Sequence, residues 1–370
     1  AFKQLGWIPG LVLLLLAGFI TLYTGLLLSE CYEYVPGKRN DSYLDLGRSA
    51  YGGKGLLLTS FVGQYVNLFG VNIGYLILAG DLLPKIISSF CGDNCDHLDG
   101  NSWIIIFAAI IITLSFIPNF NLLSISSLSA FSSLAYLSII SFLIIVAVIA
   151  GIFVLLGAVY GILWSPSFTK LTGLFLAIGI IVFAFEGHAV LLPIQNTMKS
   201  PSAKKFKKVL NVAIIIVTVL YILVGFFGYL TFGNNVKGNI LLNLPNNPFW
   251  LIVNLNLVVA ILLTFPLQAF PIVRIIENLL TKKNNFAPNK SKLLRVVIRS
   301  GLVVFTLLIA ILVPFFGDFL SLVGATSGAP LTFILPPFEM YILLKKEKKW
   351  GKRWPKLIDL IIIVVGLLLS

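Results

Sequence analysis

From Gly100 to Thr169 the chain carries no Asp, Glu, Lys or Arg. A run of that length cannot dress the surface of a water-soluble domain, in which about 25% of residues are charged. Charged types make up only 11% of the 370 residues and apolar types 58%. A soluble globule of this make-up would expose too much apolar surface, and a disordered chain needs far more polarity. Both classes are excluded.

A bilayer core about 30 Å thick takes roughly 20 apolar residues per helix. Ten runs approach that length: 9–30, 56–83, 102–118, 128–157, 171–195, 209–232, 249–276, 296–316, 319–343 and 357–370. The charge-free stretch holds two of them, with a turn at Pro118-Asn119-Phe120-Asn121. The expected fold class is therefore an all-α polytopic membrane protein. The last run is too short to span, so the chain is expected to stop within a helix.

The net charge is +13. In a soluble chain this would suggest nucleic acid, but the bases lie in short loops between apolar runs. Loops 32–55, 196–208, 277–299 (with Arg274) and 344–356 hold 23 of the 27 Lys and Arg, and they alternate with the spans. The asymmetry places these loops in the cytosol and argues against a nucleic-acid partner. Trp7, Trp103, Trp164 and Trp250 then fall at outer boundaries, Trp350 and Trp354 at the inner one, as an interfacial belt requires.

The chain has three cysteines and two histidines, too few for a disulfide scaffold or a convincing metal centre. Cys91 and Cys95 share an outer loop, where they either close a small disulfide ring or stay as thiols. His97 and Asp96 beside them do not make a persuasive metal site.

Polar side chains inside spans are the candidates for function. Glu186 sits near the middle of run 171–195, followed at once by Gly187 and His188 and then by Pro193. Glycine weakens a helix and proline removes a backbone bond, so the helix is expected to break here and free backbone groups for a ligand. An ionised Glu186 at that depth costs roughly 2.5–3.5 kcal/mol on insertion scales. It faces a cavity or partner, or it is protonated. The bland alternative is a kinked helix with Glu186 bonded to neighbours. His188 reads first as a packing residue and second as a proton relay.

A second group bears amides. Gln64 and Asn67 share a helix face, with Asn72 and Tyr75 further along; Asn254 and Asn256 precede Thr264 and Gln268 in run 249–276. Singly, such residues more often hold helices together than bind ligands. Ser124–Ser133 reads as close helix packing, and the breakable stretch Gly324–Pro330, with Thr326, as a pathway lining. No second buried charge is expected at the midplane. No P-loop, His-x-x-x-His or Ser/His/Asp set occurs within the spans, so an enzyme is not expected.

At 183–201, FAFEGHAVLLPIQNTMKSP, the chain resembles the amino acid/auxin permease family of the APC superfamily. Four further stretches agree: AFKQLGW (1–7), YLILAGD (75–81), GYLTFGNNVKGNILLNLP (228–245) and FPLQAFP (265–271). The resemblance covers the whole chain in order. It implies eleven helices, the first ten in two inverted five-helix repeats of the leucine-transporter type, with helices 1 and 6 broken at the midplane. Run 171–195 corresponds to helix 6, and runs 56–83 and 249–276 to helices 3 and 8, which flank the substrate. The chain is then one transporter domain truncated at both ends: helices 1b–5 over 1–163, helices 6–10 over 171–343, and part of helix 11 over 357–370. A Gly-rich half-helix is expected ahead of Ala1.

The resemblance implies a secondary active transporter of neutral amino acids, working by alternating access and coupled to H⁺ or Na⁺ without other cofactors. The implied site draws on Phe183, Glu186, Gly187, His188, Asn67, Asn72, Asn254, Asn256 and Thr326. The partners are an amino acid and the bilayer of a plasma, vacuolar or lysosomal membrane, with the protein a monomer. The alternative is a transporter-like sensor or scaffold that binds without turnover.

Overall fold

In lipid every backbone N–H and C=O must find its partner within the chain, and a helix provides one residue by residue. The computed structural model has helices and no strand among the described residues. It describes the chain except 35–38, 42, 53–63, 92–98, 116–170, 197, 199, 245–246, 282–287, 314 and 347–356. The expected span 128–157, the serine-rich stretch, Cys95, Asp96 and His97 lie outside the described residues.

The helices are α1 (Phe2–Leu5), α2 (Trp7–Tyr32), α3 (Tyr43–Tyr51), α4 (Val66–Cys91), α5 (Gly100–Ser115), α6 (Leu171–Ala184) and α7 (His188–Asn196). They continue as α8 (Ala203–Phe232), α9 (Pro248–Thr281), α10 (Pro288–Leu312), α11 (Phe316–Val323), α12 (Leu335–Lys346) and α13 (Leu357–Leu369). Between α11 and α12 the chain winds as two π turns, Gly324–Gly328 and Pro330–Ile334. Their wide register shows in the Ala329 N–H donating to Gly324 O and the Leu335 N–H to Pro330 O. Trp7–Tyr32, Val66–Phe90, Thr172–Asn196, Ala203–Asn235 and Phe316–Lys346 are long and apolar enough to cross a membrane.

One boundary moves. Run 56–83 was expected to end before Pro84 and Lys85, yet α4 continues to Cys91. The Lys85 ammonium explains this, since it reaches the carbonyls of Leu242 (3.4 Å) and Leu244 (2.9 Å) and lies over the Trp250 ring. A charge with carbonyl partners and an aromatic face has no need to end the helix.

The chain forms two compact units that interleave along the sequence. The first comprises Ala1–Asn67, Phe153–Asn234 and Leu320–Ser370; the second comprises Leu68–Ile152 and Asn235–Phe319. In the first, Leu27, Leu28, Tyr32, Tyr43, Leu46, Leu192 and Leu343 form one buried cluster. Phe2, Leu5, Ala177, Ile181 and Phe185 form another. Gly6, at φ 76°, adopts a backbone conformation that side chains disfavour and turns α1 back onto α6. The outer faces of α2 and α8 stay apolar, with Leu15, Phe19, Val212 and Ile215 about half exposed. That is the pattern of helices solvated by lipid tails.

The cytosol-assigned ends of α2, α7 and α8 are laced by polar contacts. Tyr32 donates to the Asn196 side chain at 3.0 Å, Lys207 pairs with Glu30, and the Ala203 N–H donates to Glu33 at 3.3 Å. Asn40 closes α2 by donating to Cys31 O at 2.8 Å while accepting from Ser49 of α3 at 2.7 Å. In the second unit, Ile104 of α5 fills the space that Gly80 of α4 leaves open, and Phe69 meets Phe305 edge-on at 5.8 Å.

Candidate functional site

The expected break in run 171–195 is present. α6 stops at Ala184, Phe185–Gly187 are not helical, and α7 starts at His188. A helix end leaves carbonyls without intrahelical partners, and the structure supplies several locally. Phe185 N–H donates to Ile181 O at 3.2 Å and Glu186 N–H to Phe183 O at 3.1 Å. The Ala184 carbonyl accepts the Tyr221 hydroxyl of α8 at 2.7 Å. Gly187 opens onto free space: a Cβ there would meet no atom within 4 Å.

The Glu186 carboxylate lies against Gly328 in the first π turn, where a Cβ would lie 2.9 Å from Oε2. Both carboxylate oxygens are buried and have no hydrogen-bond partner among the described residues. The buried Asn67 amide lies close enough to favour the charged carboxylate, and it also donates to the Ser327 hydroxyl at 3.4 Å. Gln64, one turn earlier, donates to Ala189 O of α7 at 3.1 Å. A buried carboxylate without partners is costly. The arrangement suits a carboxyl that takes up a proton or meets a cation at one stage of a cycle.

His188 is fully buried, and its Nε2 lies 3.0 Å from Thr24 Oγ1. The Thr24 hydroxyl donates back to Ile20 O at 2.9 Å. With its one proton so used, Thr24 accepts from Nε2–H, which leaves Nδ1 as the lone-pair nitrogen. Nδ1 is buried and has no partner among the described residues. The α6 backbone is held tightly just before the break. A Cβ on Gly324 would collide with Gly179 O and lie 2.9 Å from Phe183 N.

A broken helix with a buried acid at the break, packed against a π turn, is a transporter's arrangement, and comparison with known proteins agrees. The model of the transmembrane amino acid transporter protein family matches residues 1–370. The chain belongs to this family. It is 38% identical to amino acid permease 2 of Arabidopsis thaliana, over 96% of this chain and 78% of the relative. It is 36% identical to amino acid permease 4 of the same plant, over 96% and 82% respectively. Lysine histidine transporter-like 1, also from Arabidopsis thaliana, is 35% identical over 95% of this chain and 77% of its own length. A family of amino-acid transporters, integral to membranes and not enzymes, accounts for the composition and the spans together.

Within this family member the sequence-derived candidates divide. Phe183, Glu186, Gly187, His188 and Asn67 come together in the first unit. Asn72 and Asn254 are fully buried in the second unit, and their amides donate to carbonyls four residues back, Leu68 O and Trp250 O. Asn256 does the same to Ile252 O. Thr326 is exposed and bonds back to Leu322 O, while Ser327, which sequence reading passed over, is buried and takes Asn67. Cys91 ends α4, and the pairing with Cys95 lies outside the described residues. Among the described residues no three His, Cys, Asp or Glu side chains gather as metal ligands.

Two further acids are buried away from the break. Glu339 of α12 is fully buried, and Asp359 of α13 is 9% exposed and accepts the Tyr23 hydroxyl at 2.5 Å. Both lie in the apolar runs 319–343 and 357–370, so the cue that singled out Glu186 was present for them as well. Tyr221 was likewise missed, being one tyrosine on a lipid-type helix.

Proposed function

We propose that the chain is a proton-coupled secondary transporter of neutral amino acids, working as a monomer by alternating access. The observation that carries this reading is the break at Phe185–Gly187, which holds a buried carboxyl without a hydrogen-bond partner among the described residues and a glycine whose Cβ position has no atom within 4 Å. The amino acid would sit at that opening. The first N–H groups of α7, which lack intrahelical partners and carry the positive end of the helix dipole, would face its carboxylate. Glu186 would carry the proton. A buried carboxyl that takes up and gives up a proton supplies H⁺ coupling directly, and this favours H⁺.

Two compact units drawn alternately from both halves of the chain support a leucine-transporter-type 5+5 inverted repeat. The Lys/Arg asymmetry supports cytosolic placement of the basic loops. A zwitterion matches a site with one titratable acid at the break.

The test is uptake of radiolabelled alanine, lysine and glutamate by proteoliposomes holding the full-length protein, with pH and Na⁺ gradients imposed separately. Uptake of alanine driven by the pH gradient is expected, with a loss of at least tenfold in Glu186→Gln. Uptake driven by Na⁺ alone would overturn proton coupling. Binding without uptake under either gradient would identify a sensor instead.

A further inference from the structure

Glu186 is not the only carboxyl in the first unit that is buried without a partner. Glu339 of α12 has no exposed surface, and neither carboxylate oxygen has a hydrogen-bond partner among the described residues. No local structural role accounts for it. Its surroundings hold one more orphan, the Tyr51 hydroxyl of α3, also buried and without a partner among the described residues. Glu339 acts electrostatically on both Tyr51 and Tyr43 of α3. Tyr43 is fully buried, donates to Leu331 O of the second π turn at 3.2 Å, and feels Glu186 as well as Glu339. One tyrosine therefore stands within electrostatic reach of both buried acids.

We propose that Glu339 is a second proton site, which accepts the proton that Glu186 gives up and passes it to the cytosol. This rests on the proton-coupled reading above. In the step, the Glu186 carboxyl loses its proton and becomes a carboxylate, and the Glu339 carboxylate gains that proton. Glu339 then releases it to water on the cytosolic side and is a carboxylate again. Net transfer is one H⁺ per cycle, with nothing oxidised or reduced.

The position fits release rather than capture. Seven residues beyond Glu339, Lys346 donates to Ser49 O of α3 at 2.9 Å. This pins α3, which lies in a basic loop, across the end of α12. Glu339 thus lies about two turns from the cytosol-assigned end of α12. Among the described residues, the groups that face it from packed elements hold no cation that would fix it as a carboxylate. α3 brings Tyr43 and Tyr51, α2 brings Cys31, and the second π turn brings no titratable group. The acid of α13, Asp359, is held by Tyr23. The remaining charges of α3, Asp45 and Arg48, pair with each other at 3.5 Å near its surface.

The experiment uses full-length protein in proteoliposomes and reads three quantities: pH-driven alanine uptake, alanine exchange without a gradient, and the dependence of uptake on cytosolic-side pH. Glu339→Gln is expected to keep exchange within twofold, to lower net uptake at least tenfold and to abolish the dependence on cytosolic-side pH. Glu339→Asp, which keeps the acid, should restore that dependence. Net uptake and pH dependence both within twofold of wild type in Glu339→Gln would overturn the proposal. So would equal loss of exchange and net uptake in a folded variant, which marks a structural role. Infrared difference spectra of the wild type between acid and alkaline buffer cover the case where Glu339→Gln does not fold. A carboxylic-acid band that survives Glu186→Gln and shifts in Glu339→Asp is expected, and its absence overturns the assignment. That readout needs no transport, so it stands even if wild-type uptake proves not to be proton-driven.

Discussion

The Tyr221 hydroxyl donates to the carbonyl of Ala184, the last residue of α6, at 2.7 Å. The bond ties the end of the broken helix to α8, whose ring at Tyr221 also meets Phe185 edge-on at 5.2 Å. Tyr221→Phe keeps the ring contact and removes only the donor. A half-buried carbonyl left without its partner costs about 1–3 kcal/mol. The expected result is a fall of several degrees in the Tm of detergent-purified protein and faster hydrogen exchange across 184–190. An unchanged exchange pattern would show that the break does not depend on this cap.

Gly324 and Gly328 lie one turn apart, yet alanine should act differently at each. At Gly324 the new methyl would collide with Gly179 O and crowd Phe183 N at 2.9 Å, and backbone cannot swing aside. Overpacking of this kind costs about 1–3 kcal/mol. At Gly328 the methyl would meet Glu186 Oε2 at 2.9 Å, the far end of a flexible side chain. Gly324→Ala should therefore lower Tm and expression. Gly328→Ala should leave Tm within a degree or two while cutting uptake severalfold, because Glu186 is displaced. Equal Tm losses at both positions would contradict this.

The break itself was legible because its cause is local: Glu186, Gly187 and Pro193 lie within eight residues of each other. The spans were legible for the same reason, since a bilayer reads composition in windows. What escaped depends on distant partners or altered register. The extension of α4 past Lys85 needs carbonyls of Leu242 and Leu244, more than 150 residues away. Asp359 rests on Tyr23, 336 residues away in sequence. Thr326 was named within a stretch read only as small and breakable, and nothing in that reading fixed which residue faces Asn67. In a π turn each residue advances less around the axis, so the face toward Asn67 falls to Ser327 instead.

Asp99 offers a pH-dependent check outside the spans. Its Oδ1 accepts from the Ser102 hydroxyl at 2.5 Å and from the Ser102 N–H at 3.0 Å, capping α5. These bonds, the hydroxyl first, hold the carboxyl below its ordinary value. A depressed folded value means that the cap's contribution is present above about pH 4, the unperturbed value, and is lost as pH falls through the folded one. The protection factors over 100–104, exchange rates corrected for the intrinsic pH dependence, should fall on acidification below pH 4. In Asp99→Ala they should already be low at pH 7 and should not fall further on acidification.

Gly187 separates space from stability. Its backbone is not in the left-handed region, and a Cβ there would touch nothing within 4 Å. Gly187→Ala therefore fits the protein without strain and, by stiffening the unfolded chain, should leave Tm equal or slightly raised. The added methyl enters the space that the proposed reading gives to the amino acid. Crowding there should raise KM for alanine at least severalfold, and more for larger side chains such as leucine. Uptake unchanged for every substrate would mean that the amino acid sits elsewhere. A lower Tm would mean that the space is filled in the folded protein and that the opening beside Glu186 is not where binding occurs.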